Sequence, residues 1–495
     1  MKSHLNDYEV AVLGTGLGGL IAATLLARKK HRVLLLKETA YQTSYVRGGY
    51  RFVPFSSLSE KRLKLPLLHK IAQGLGISLL SSRREGGSPP RRNHGRQKVA
   101  FQVILPEARV DLFCDRSLLG MEWKREFPKE LIGIGEFHAE LGQLREVLEK
   151  EKTKEGLQQV FPLRPRSWIR RFFPHDGLPR TETGERLSSF SKEFKELVRL
   201  QMISWGNLHS EHFPVSLASY LLPNNDSGEW FTSGDLGTLE EKILERFVQQ
   251  QGRVDEIEAV EKAHLERKNG FILSLERGEK VFRAEHLIVN APLDHLTNAS
   301  GRWEKLLSKW RRRVPPRYVV VPFFVGIREK VVPVGMKDLL VSIRDFEKPY
   351  EGGNLLFLSL SSAGDESEAP EGRRALTVES MMPLGEWDDD FFAEQEKSVR
   401  DHVGSLFPFL EDHIEFIDTD WTRAQISRWS FPHYLYEATS SFDWREGVVP
   451  TRLASNLYLT GKENFPYLGV EGEILSGFMV ANEILKKYPE PSANY

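Results

Sequence analysis

Three glycines near the amino terminus have the spacing of a phosphate-binding turn. Gly14, Gly16 and Gly19 follow the pattern G-x-G-x-x-G directly after the apolar run Tyr8–Leu13. In such a turn the first glycine allows a tight bend, the second lets a pyrophosphate approach the backbone, and the third lets a helix pack closely on its strand. The N-terminus of the helix that follows attracts anions. Because an isolated glycine motif is weak evidence, the elements around it decide its meaning.

Those elements are a strand, a helix and a second strand. Tyr8–Leu13 is predicted to be a buried parallel strand, Leu20–Ala27 an apolar helix, and Arg32–Leu36 the next strand. This order predicts a dinucleotide-binding unit. The residues predicted to contact the ligand in this turn are Gly14, Thr15, Gly16, Leu17, Gly18 and Gly19.

The position that normally accepts hydrogen bonds from the ribose hydroxyls carries a lysine. Counting from Gly14, this position is Lys37, and Glu38 follows one residue later. An ammonium group cannot accept those hydrogen bonds. Three interpretations remain open: Glu38 takes over the role, which we favour; Lys37 binds an extra phosphate, as for an NADP-like ligand; or the adenosine site is degraded.

A second strand, turn and helix lie at the carboxyl end. Asn456–Thr460 is predicted to be a strand that leads into Gly461, and Glu471–Leu485 is predicted to be a helix. Residues 469–477 read G-V-E-G-E-I-L-S-G. Together with the amino-terminal motif, this segment resembles the flavoprotein superfamily of amine oxidases, phytoene desaturases and carotenoid isomerases. In that superfamily a G-V-x-G-A-x-L-S-G helix start lies beside the flavin, so the resemblance implies FAD.

Shorter motifs extend the resemblance along the chain. Gly48–Phe52 resembles a G-Y-x-F turn, Gly252–Val260 a strand pair whose valine contacts adenine, and Val289–Pro292 the strand that returns to the dinucleotide domain. Lys462 stands where the superfamily has an aspartate that bonds the cofactor. The further cofactor contacts that the resemblance implies are Gly48, Gly49, Val260, Ala291, Gly461, Lys462, Gly469, Val470 and Gly472.

The resemblance implies an α/β fold, in which a Rossmann-like FAD/NAD(P)-binding domain is combined with a discontinuous α+β substrate domain. We assign residues 1–80, 230–300 and 440–495 to the first domain and residues 99–229 and 301–439 to the second. Residues 81–98, which are basic and broken by glycine and proline, are expected to form a flexible loop. The two glycine-lined turns are expected to meet around one long anionic ligand.

Hydrophobic periodicity predicts the elements of the substrate domain. Asp388 lies in an acidic run typical of a helix start. The predicted strands are Phe101–Leu105, Arg109–Phe113, Arg317–Ile327, Asn354–Ser361, Arg374–Ser380 and Ile414–Trp421, and the predicted helices are Glu130–Lys152 and Glu386–Leu406.

Catalytic side chains are hard to identify from the sequence. No nucleophile elbow or zinc-ligand spacing is present, and His209 with His212 lacks the further ligands of a metal site, so we predict no metal. In flavin enzymes the cofactor accepts the electrons and the protein positions the substrate. Tyr467, Tyr434 and Tyr436 are the candidates for the flavin face.

Composition limits the partners and the compartment. The chain has 495 residues, and its 68 basic residues nearly balance 69 acidic ones, which gives no reason to expect nucleic acid. One cysteine excludes an internal disulfide and is typical of a reducing compartment. No apolar run is long enough to span a bilayer. We expect a cytoplasmic protein, with peripheral membrane contact through the aromatic and cationic segments Phe161–Pro174 and Trp310–Arg313.

These observations favour an FAD-dependent oxidoreductase of the phytoene-desaturase-like group. Its expected substrate is an apolar polyene or isoprenoid, changed by dehydrogenation or isomerisation. Two alternatives stay open. One is a flavin-free binding or carrier protein, because Rab escort and GDP-dissociation-inhibitor proteins resemble the same architecture without using flavin; the other is an amine oxidase. The substrate, the electron acceptor and the oligomeric state are not determined by the sequence.

Overall fold

A computed structural model gives the fold. It describes residues 6–14, 16–39, 45–52, 75, 77, 99–113, 115–154, 183–206, 208–209, 213–222, 233–258, 264–267, 270–275, 280–291, 316–385, 387–428, 434–437 and 451–489. Three segments that the sequence singled out, 81–98, 161–174 and 310–313, lie outside these ranges.

The described elements include several runs of consecutive strands separated by helices. The strands are β1 Asn6–Leu13, β2 Val33–Glu38, β3 Tyr45–Arg47, β4 Tyr50–Phe52, β5 Val99–Ile104, β6 Arg109–Phe113, β7 Leu208–His209, β8 Arg253–Ile257, β9 His264–Arg267, β10 Phe271–Leu275, β11 Lys280–Val289, β12 Pro316–Arg328, β13 Leu339–Ile343, β14 Leu355–Leu360, β15 Arg373–Pro383, β16 Ile414–Asp418, β17 Tyr434–Glu437, β18 Arg452–Ala454 and β19 Leu457–Leu459. The helices are α1 Leu17–Arg28, α2 Arg116–Glu126, α3 Leu131–Lys154, α4 Thr183–Arg186, α5 Lys192–Trp205, α6 Val215–Leu221, α7 Ser233–Gln249, α8 Asp389–Leu406, α9 Asp420–Arg428 and α10 Gly469–Lys487.

The first sheet has the order β18-β19-β11-β1-β2-β8, and β10 joins β9 to β11. β1 lies between β2 and β11 and is parallel to both. Its residues alternate between two faces, because side chains along a strand point to opposite sides. Val10 and Val12 pack with α1, α7 and α10, whereas Ala11 and Leu13 pack with β10 on the other face. This double burial explains the continuous apolar sequence of Val10–Leu13.

The second sheet has the order β6-β5-β13-β14-β15-β12-β17-β7, with β16 also paired to β12. β12 and β15 form a long antiparallel ladder from Tyr318 opposite Pro383 to Arg328 opposite Arg373. Helix α8 covers one face with Phe392, Val399 and Val403. The sheet is built from segments widely separated in the chain, and therefore only tertiary pairing completes it.

Most predicted elements are confirmed, with small shifts at their ends. The largest difference concerns the predicted strand Ile414–Trp421, which is wrong at its carboxyl end because β16 stops at Asp418 and α9 begins at Asp420. The Asp418 side chain accepts the backbone N–H of Asp420 at 3.0 Å, which favours the start of a helix. Asp388 caps α8 as predicted, by accepting the N–H of Phe391 at 2.8 Å.

None of the helices in the described ranges is long and apolar enough to cross a membrane.

Candidate functional site

The amino-terminal glycine turn adopts the predicted conformation. Gly14 has φ 96°, a left-handed value that favours glycine, and its N–H donates to Leu36 O at 3.1 Å. Gly16 is the N-cap of α1 and has no side-chain cap. The start of α1 therefore presents backbone N–H groups at the carboxyl edge of β1, where nucleotide phosphates bind in such sheets. Thr15, also predicted to contact the ligand, lies outside the described residues.

Asn290 connects this turn to the strand end beside it. Its side-chain Oδ1 accepts the N–H of Gly19 at 2.7 Å and the hydroxyl of Thr460 at 2.8 Å. Its backbone N–H donates to Leu13 O at 2.8 Å. Asn290 is 7% exposed, so these contacts are almost fully withdrawn from water. The amide thus fixes the glycine turn against the ends of β11 and β19.

The carboxyl-terminal motif meets the amino-terminal one through backbone contacts. A Cβ added at Gly477 would lie 2.1 Å from Gly18 O, so α10 and α1 touch where both lack side chains. Ser476 Oγ accepts the N–H of Gly461 at 2.9 Å and donates to Glu473 O at 2.7 Å. The two glycine-containing segments therefore meet, at Gly18 and at Glu473–Gly477, and their closure around one anionic ligand stays a prediction. Two short 3-10 turns, Lys462–Asn464 and Pro466–Leu468, lead from Gly461 to α10.

Two further glycines of this motif are required by close packing. Gly469 has φ 55°, and a Cβ there would lie 2.4 Å from Trp205 O. At Gly472 a Cβ would lie 2.6 Å from Phe465 O. Val470, between them, is 2% exposed. Gly469, Val470 and Gly472 therefore pack closely at the start of α10, where the two glycines leave no room for a side chain. Contact of these three residues with a cofactor stays a prediction.

Glu473 is the residue at this junction that sequence reasoning missed. Glu473 is 8% exposed, and its Oε1 lies 3.4 Å from the backbone nitrogen of Gly18. A Cβ added at Gly16 would lie 2.7 Å from the same Oε1 and 2.1 Å from Asn290 Nδ2. The signal in the sequence was the alanine of the motif G-V-x-G-A-x-L-S-G, which is Glu473 in this chain.

The three charged residues predicted near the cofactor occupy the edges of the site. Lys37 and Glu38 are half-buried at the end of β2, in register with Glu256 and Ile257 of β8. Lys462 follows Gly461 directly and is also half-buried. The choice among ribose binding by Glu38, phosphate binding by Lys37 and a degraded site stays open. Gly461 has φ 135° with open space beside it, so the turn before Lys462 requires a glycine.

The remaining predicted contacts fall in different places. Gly48 and Gly49 form the exposed turn of the β3–β4 hairpin, and a Cβ on Gly49 would lie 3.3 Å from Pro370. Pro370 lies between β14 and β15 of the second sheet. Contact of Gly48 and Gly49 with a cofactor stays a prediction. Ala291 directly follows Asn290 and is half-buried. Val260 lies outside the described residues.

Asp418 holds that hairpin against the second sheet. Its side chain is 1% exposed, and it accepts hydrogen bonds from the Tyr45 hydroxyl and from Arg47 Nη1, the latter at 2.6 Å. Burial opposes ionisation of Asp418, but these hydrogen bonds outweigh it and lower its pKa. Burial and the bond to Asp418 raise the pKa of the Tyr45 hydroxyl to about 12. The hairpin is thus attached by a charged contact.

Two of the three candidate tyrosines lie in one apolar cluster. Tyr467 is 1% exposed and Tyr436 is 3% exposed, and both pack in the cluster that contains Trp205 and Phe465. Tyr434 is on β17, where its backbone pairs with Val319 of β12. The cluster surrounds the turn that leads into α10. A catalytic role for these tyrosines stays a prediction.

No group of three or more histidine, cysteine, aspartate or glutamate side chains among the described residues could hold a metal ion. His209 is described, on β7, and the other residues of its cluster, 210–212, are not.

The fold and the two joined glycine turns define a dinucleotide-binding flavoprotein architecture. Solved structures with the same fold include an oxidoreductase from Methanosarcina mazei, with a TM-score of 0.57 and 14% identity, covering 96% of this chain and 100% of that one. A triple mutant of putrescine oxidase has a TM-score of 0.56 at 11% identity, covering 98% and 100%. At these identities the likeness establishes the fold.

Sequence comparison supplies the family. The model of the flavin containing amine oxidoreductase family matches residues 120–485, and the chain belongs to that family. It is thereby placed among the flavin-dependent oxidoreductases. Chloroplastic prolycopene isomerase of Daucus carota is 23% identical over 97% of this chain and 80% of its own length. The corresponding protein of Arabidopsis thaliana is 22% identical over 96% of this chain and 82% of its own length.

The described residues fit a flavin dinucleotide in most respects. Glycines without side chains, the start of α1 and the anchored α10 provide the backbone surface that a pyrophosphate needs. The Glu473 carboxylate lies on that surface, but it is the far end of a flexible side chain. A pyrophosphate on this surface requires the Glu473 carboxylate to lie elsewhere.

Proposed function

We propose that this protein is an FAD-dependent oxidoreductase of the phytoene-desaturase-like group that acts on an apolar polyene or isoprenoid. It dehydrogenates or isomerises this substrate. The observation that carries the proposal is the likeness to prolycopene isomerases along 97% of the chain, combined with the junction of the two glycine turns. When bound, FAD supplies the two-electron chemistry that side chains lack.

The chain's own residues have three roles in this proposal. The N–H groups at the start of α1 bind the cofactor phosphates, and Asn290 keeps them in position through Gly19. The turn 462–468 and the first residues of α10 form the cofactor surface facing the substrate. Around this turn the buried side chains include Phe465, Tyr467 and Leu468, which exclude water and suit a hydrocarbon.

The apolar surroundings favour a polyene over an amine as substrate. A cationic amine loses its hydration in such a site and needs a carboxylate or an aromatic cage in return. Putrescine oxidase and cyclohexylamine oxidase share the fold, at TM-scores of 0.56 and 0.51. This likeness supports the amine oxidase alternative through the architecture alone. We also propose that the protein obtains its substrate at a membrane surface, through 161–174 and 310–313.

The first test is flavin content. The purified protein, incubated with FAD and desalted, is expected to show absorbance bands at about 370 and about 450 nm. The second test supplies prolycopene in detergent micelles with FAD, in separate reactions with a chemical reductant and with an electron acceptor such as a quinone, because dehydrogenation needs an acceptor for two electrons, and it follows the products by chromatography. Conversion of the polyene, with no change in a saturated isoprenoid, supports the proposal. A flavin-loaded protein that leaves the polyene unchanged and oxidises amines would instead identify an amine oxidase.

A flavin-free carrier is the second candidate, favoured by the lysines at positions 37 and 462 and by Glu473 on the phosphate surface. It predicts a colourless protein that binds prenyl lipid. In that case Lys37→Glu combined with Lys462→Asp should restore flavin binding, because it returns both acidic positions of the superfamily. A yellow wild-type protein contradicts this candidate.

A further inference from the structure

The carboxylate of Glu473 lies at the place where helix α1 attracts anions. Oε1 is 3.4 Å from the nitrogen of Gly18 in the first turn of α1. It is also directed at Gly16, since a Cβ on that glycine would lie 2.7 Å from it. The second glycine of this motif lacks a side chain so that a pyrophosphate can approach. Asn290 Nδ2 would lie 2.1 Å from that Cβ, so Glu473 and Asn290 together lie beside the turn at which the motif leaves space for phosphate.

Electrostatics explain why a carboxylate is stable there. Partial positive charge collects at helix N-termini because their N–H groups have no partner within the helix. Glu473 lies near the N-termini of both α1 and α10, and it is 8% exposed. A buried carboxylate needs such donors. The same donors would bind cofactor phosphate, which carries the same sign of charge.

The side chain of Glu473 has to move to release the N–H of Gly18. Its helix is fixed: a Cβ on Gly18 would lie 2.8 Å from Glu473 O, and Ser476 donates to that oxygen at 2.7 Å. Asn290 is held by two short hydrogen bonds, of 2.7 and 2.8 Å, so it remains in place. The contact of the Glu473 carboxylate with Gly18 is longer, at 3.4 Å, and rotation about the Glu473 side-chain torsions moves the carboxylate.

We propose that Glu473 is a built-in competitor of the cofactor pyrophosphate: its carboxylate lies at the N–H groups that start α1, where the pyrophosphate would bind, turns away when the dinucleotide binds, and keeps the affinity for FAD low. This inference rests on the proposed function, because it concerns the cofactor of that same site. An alanine at this position, as in the superfamily motif, removes both the charge and the competing acceptor.

The test measures FAD affinity of the full-length protein by quenching of flavin fluorescence. Glu473→Ala is expected to bind FAD at least about tenfold more tightly than the wild type, which corresponds to about 1.4 kcal/mol. Glu473→Gln, which keeps the shape and loses the charge, should shift affinity in the same direction and serves if the alanine variant misfolds. Glu483→Ala is the matched control, because Glu483 is on the same helix but pairs with Arg452 at 3.3 Å.

ADP provides the second arm, since it carries the pyrophosphate without the flavin. Its affinity should rise in Glu473→Ala as that of FAD does. If the wild type binds FAD and the two Glu473 variants bind it equally or more weakly, the competition is refuted while the proposed function stands. Tighter FAD binding without tighter ADP binding refutes the assignment to the pyrophosphate. If no variant binds FAD, both the inference and the FAD-dependent function fail.

Discussion

Gly477 of α10 lies against the backbone of Gly18 in α1, so closely that a Cβ on Gly477 would be 2.1 Å from Gly18 O. The two residues are far apart in sequence, yet this contact joins the two halves of the dinucleotide site. Gly477→Ala is expected to destabilise the protein by about 3 kcal/mol or more, because the obstacle is backbone and cannot rotate away. Urea unfolding followed by intrinsic fluorescence measures the change.

Gly404 offers the control for that substitution. It lies within α8, and a Cβ there would meet nothing within 4 Å. Gly404→Ala should therefore leave stability unchanged or raise it by about 0.5 to 1 kcal/mol, through helix propensity. If Gly477→Ala and Gly404→Ala changed the free energy of unfolding equally, the packing of α1 on α10 would not depend on the close approach of Gly477 and Gly18.

Asn290→Ala should destabilise the glycine turn. The substitution leaves the Gly19 N–H and the Thr460 hydroxyl without the acceptor they share, and an unpaired buried donor costs about 1 to 3 kcal/mol. Thr460→Val removes only one of the two hydrogen bonds and should cost less. The free energies of unfolding of both variants test this order; the reverse order would contradict the anchoring role of Asn290.

Asp418→Asn should loosen the β3–β4 hairpin. The amide keeps the shape but loses the ion pair with Arg47 and one acceptor for Tyr45, for an expected cost of about 1 to 3 kcal/mol. The value stays modest because the Arg47 side chain is 43% exposed and screened by water. Asp412→Asn, at an exposed position, is the control. The melting temperature and the rate of proteolysis within the hairpin measure the effect. If Asp418→Asn left both unchanged, Asp418 would not hold the hairpin against the second sheet.

His286 makes stability depend on pH. It is 3% exposed on β11, and burial, with the nearby cation Lys487 and with His31, lowers its pKa to about 4, whereas Glu9 opposes this shift and Arg452 adds to it. The folded protein thus favours the neutral imidazole, whereas the unfolded chain takes up a proton at about pH 6.5. This contribution to stability is full above the unfolded pKa and is lost as pH falls through about 4.

His286→Phe removes this dependence and keeps a ring at the position. Between about pH 7 and about pH 5 the wild type should lose about 2 kcal/mol more unfolding free energy than the variant. Other groups titrate equally in both proteins, so the difference between their urea midpoints isolates His286. Parallel pH profiles of the two proteins would exclude its contribution.

Much of the dinucleotide-binding unit was determined by the sequence itself. The apolar run of β1, the glycines at 14, 16 and 19 and the small residues at the start of α10 act locally, through backbone conformation and burial. Their periodicity therefore predicted the elements, and their resemblance to known flavoproteins predicted the family. The strand β16 was misjudged at its end because Asp418 caps a helix, a local signal that an apolar pattern hides.

Tertiary structure alone decided which of these residues act on each other. Nothing in the local pattern places Glu473 on the N–H of Gly18, or Asp418 beneath the β3–β4 hairpin, because these contacts join residues hundreds of positions apart. The two sheets are likewise completed by distant segments. Local sequence fixes the backbone geometry and the buried face of each element. The charge at the phosphate-binding turn depends instead on tertiary packing, because the packing of α10 on α1 brings Glu473 to Gly18.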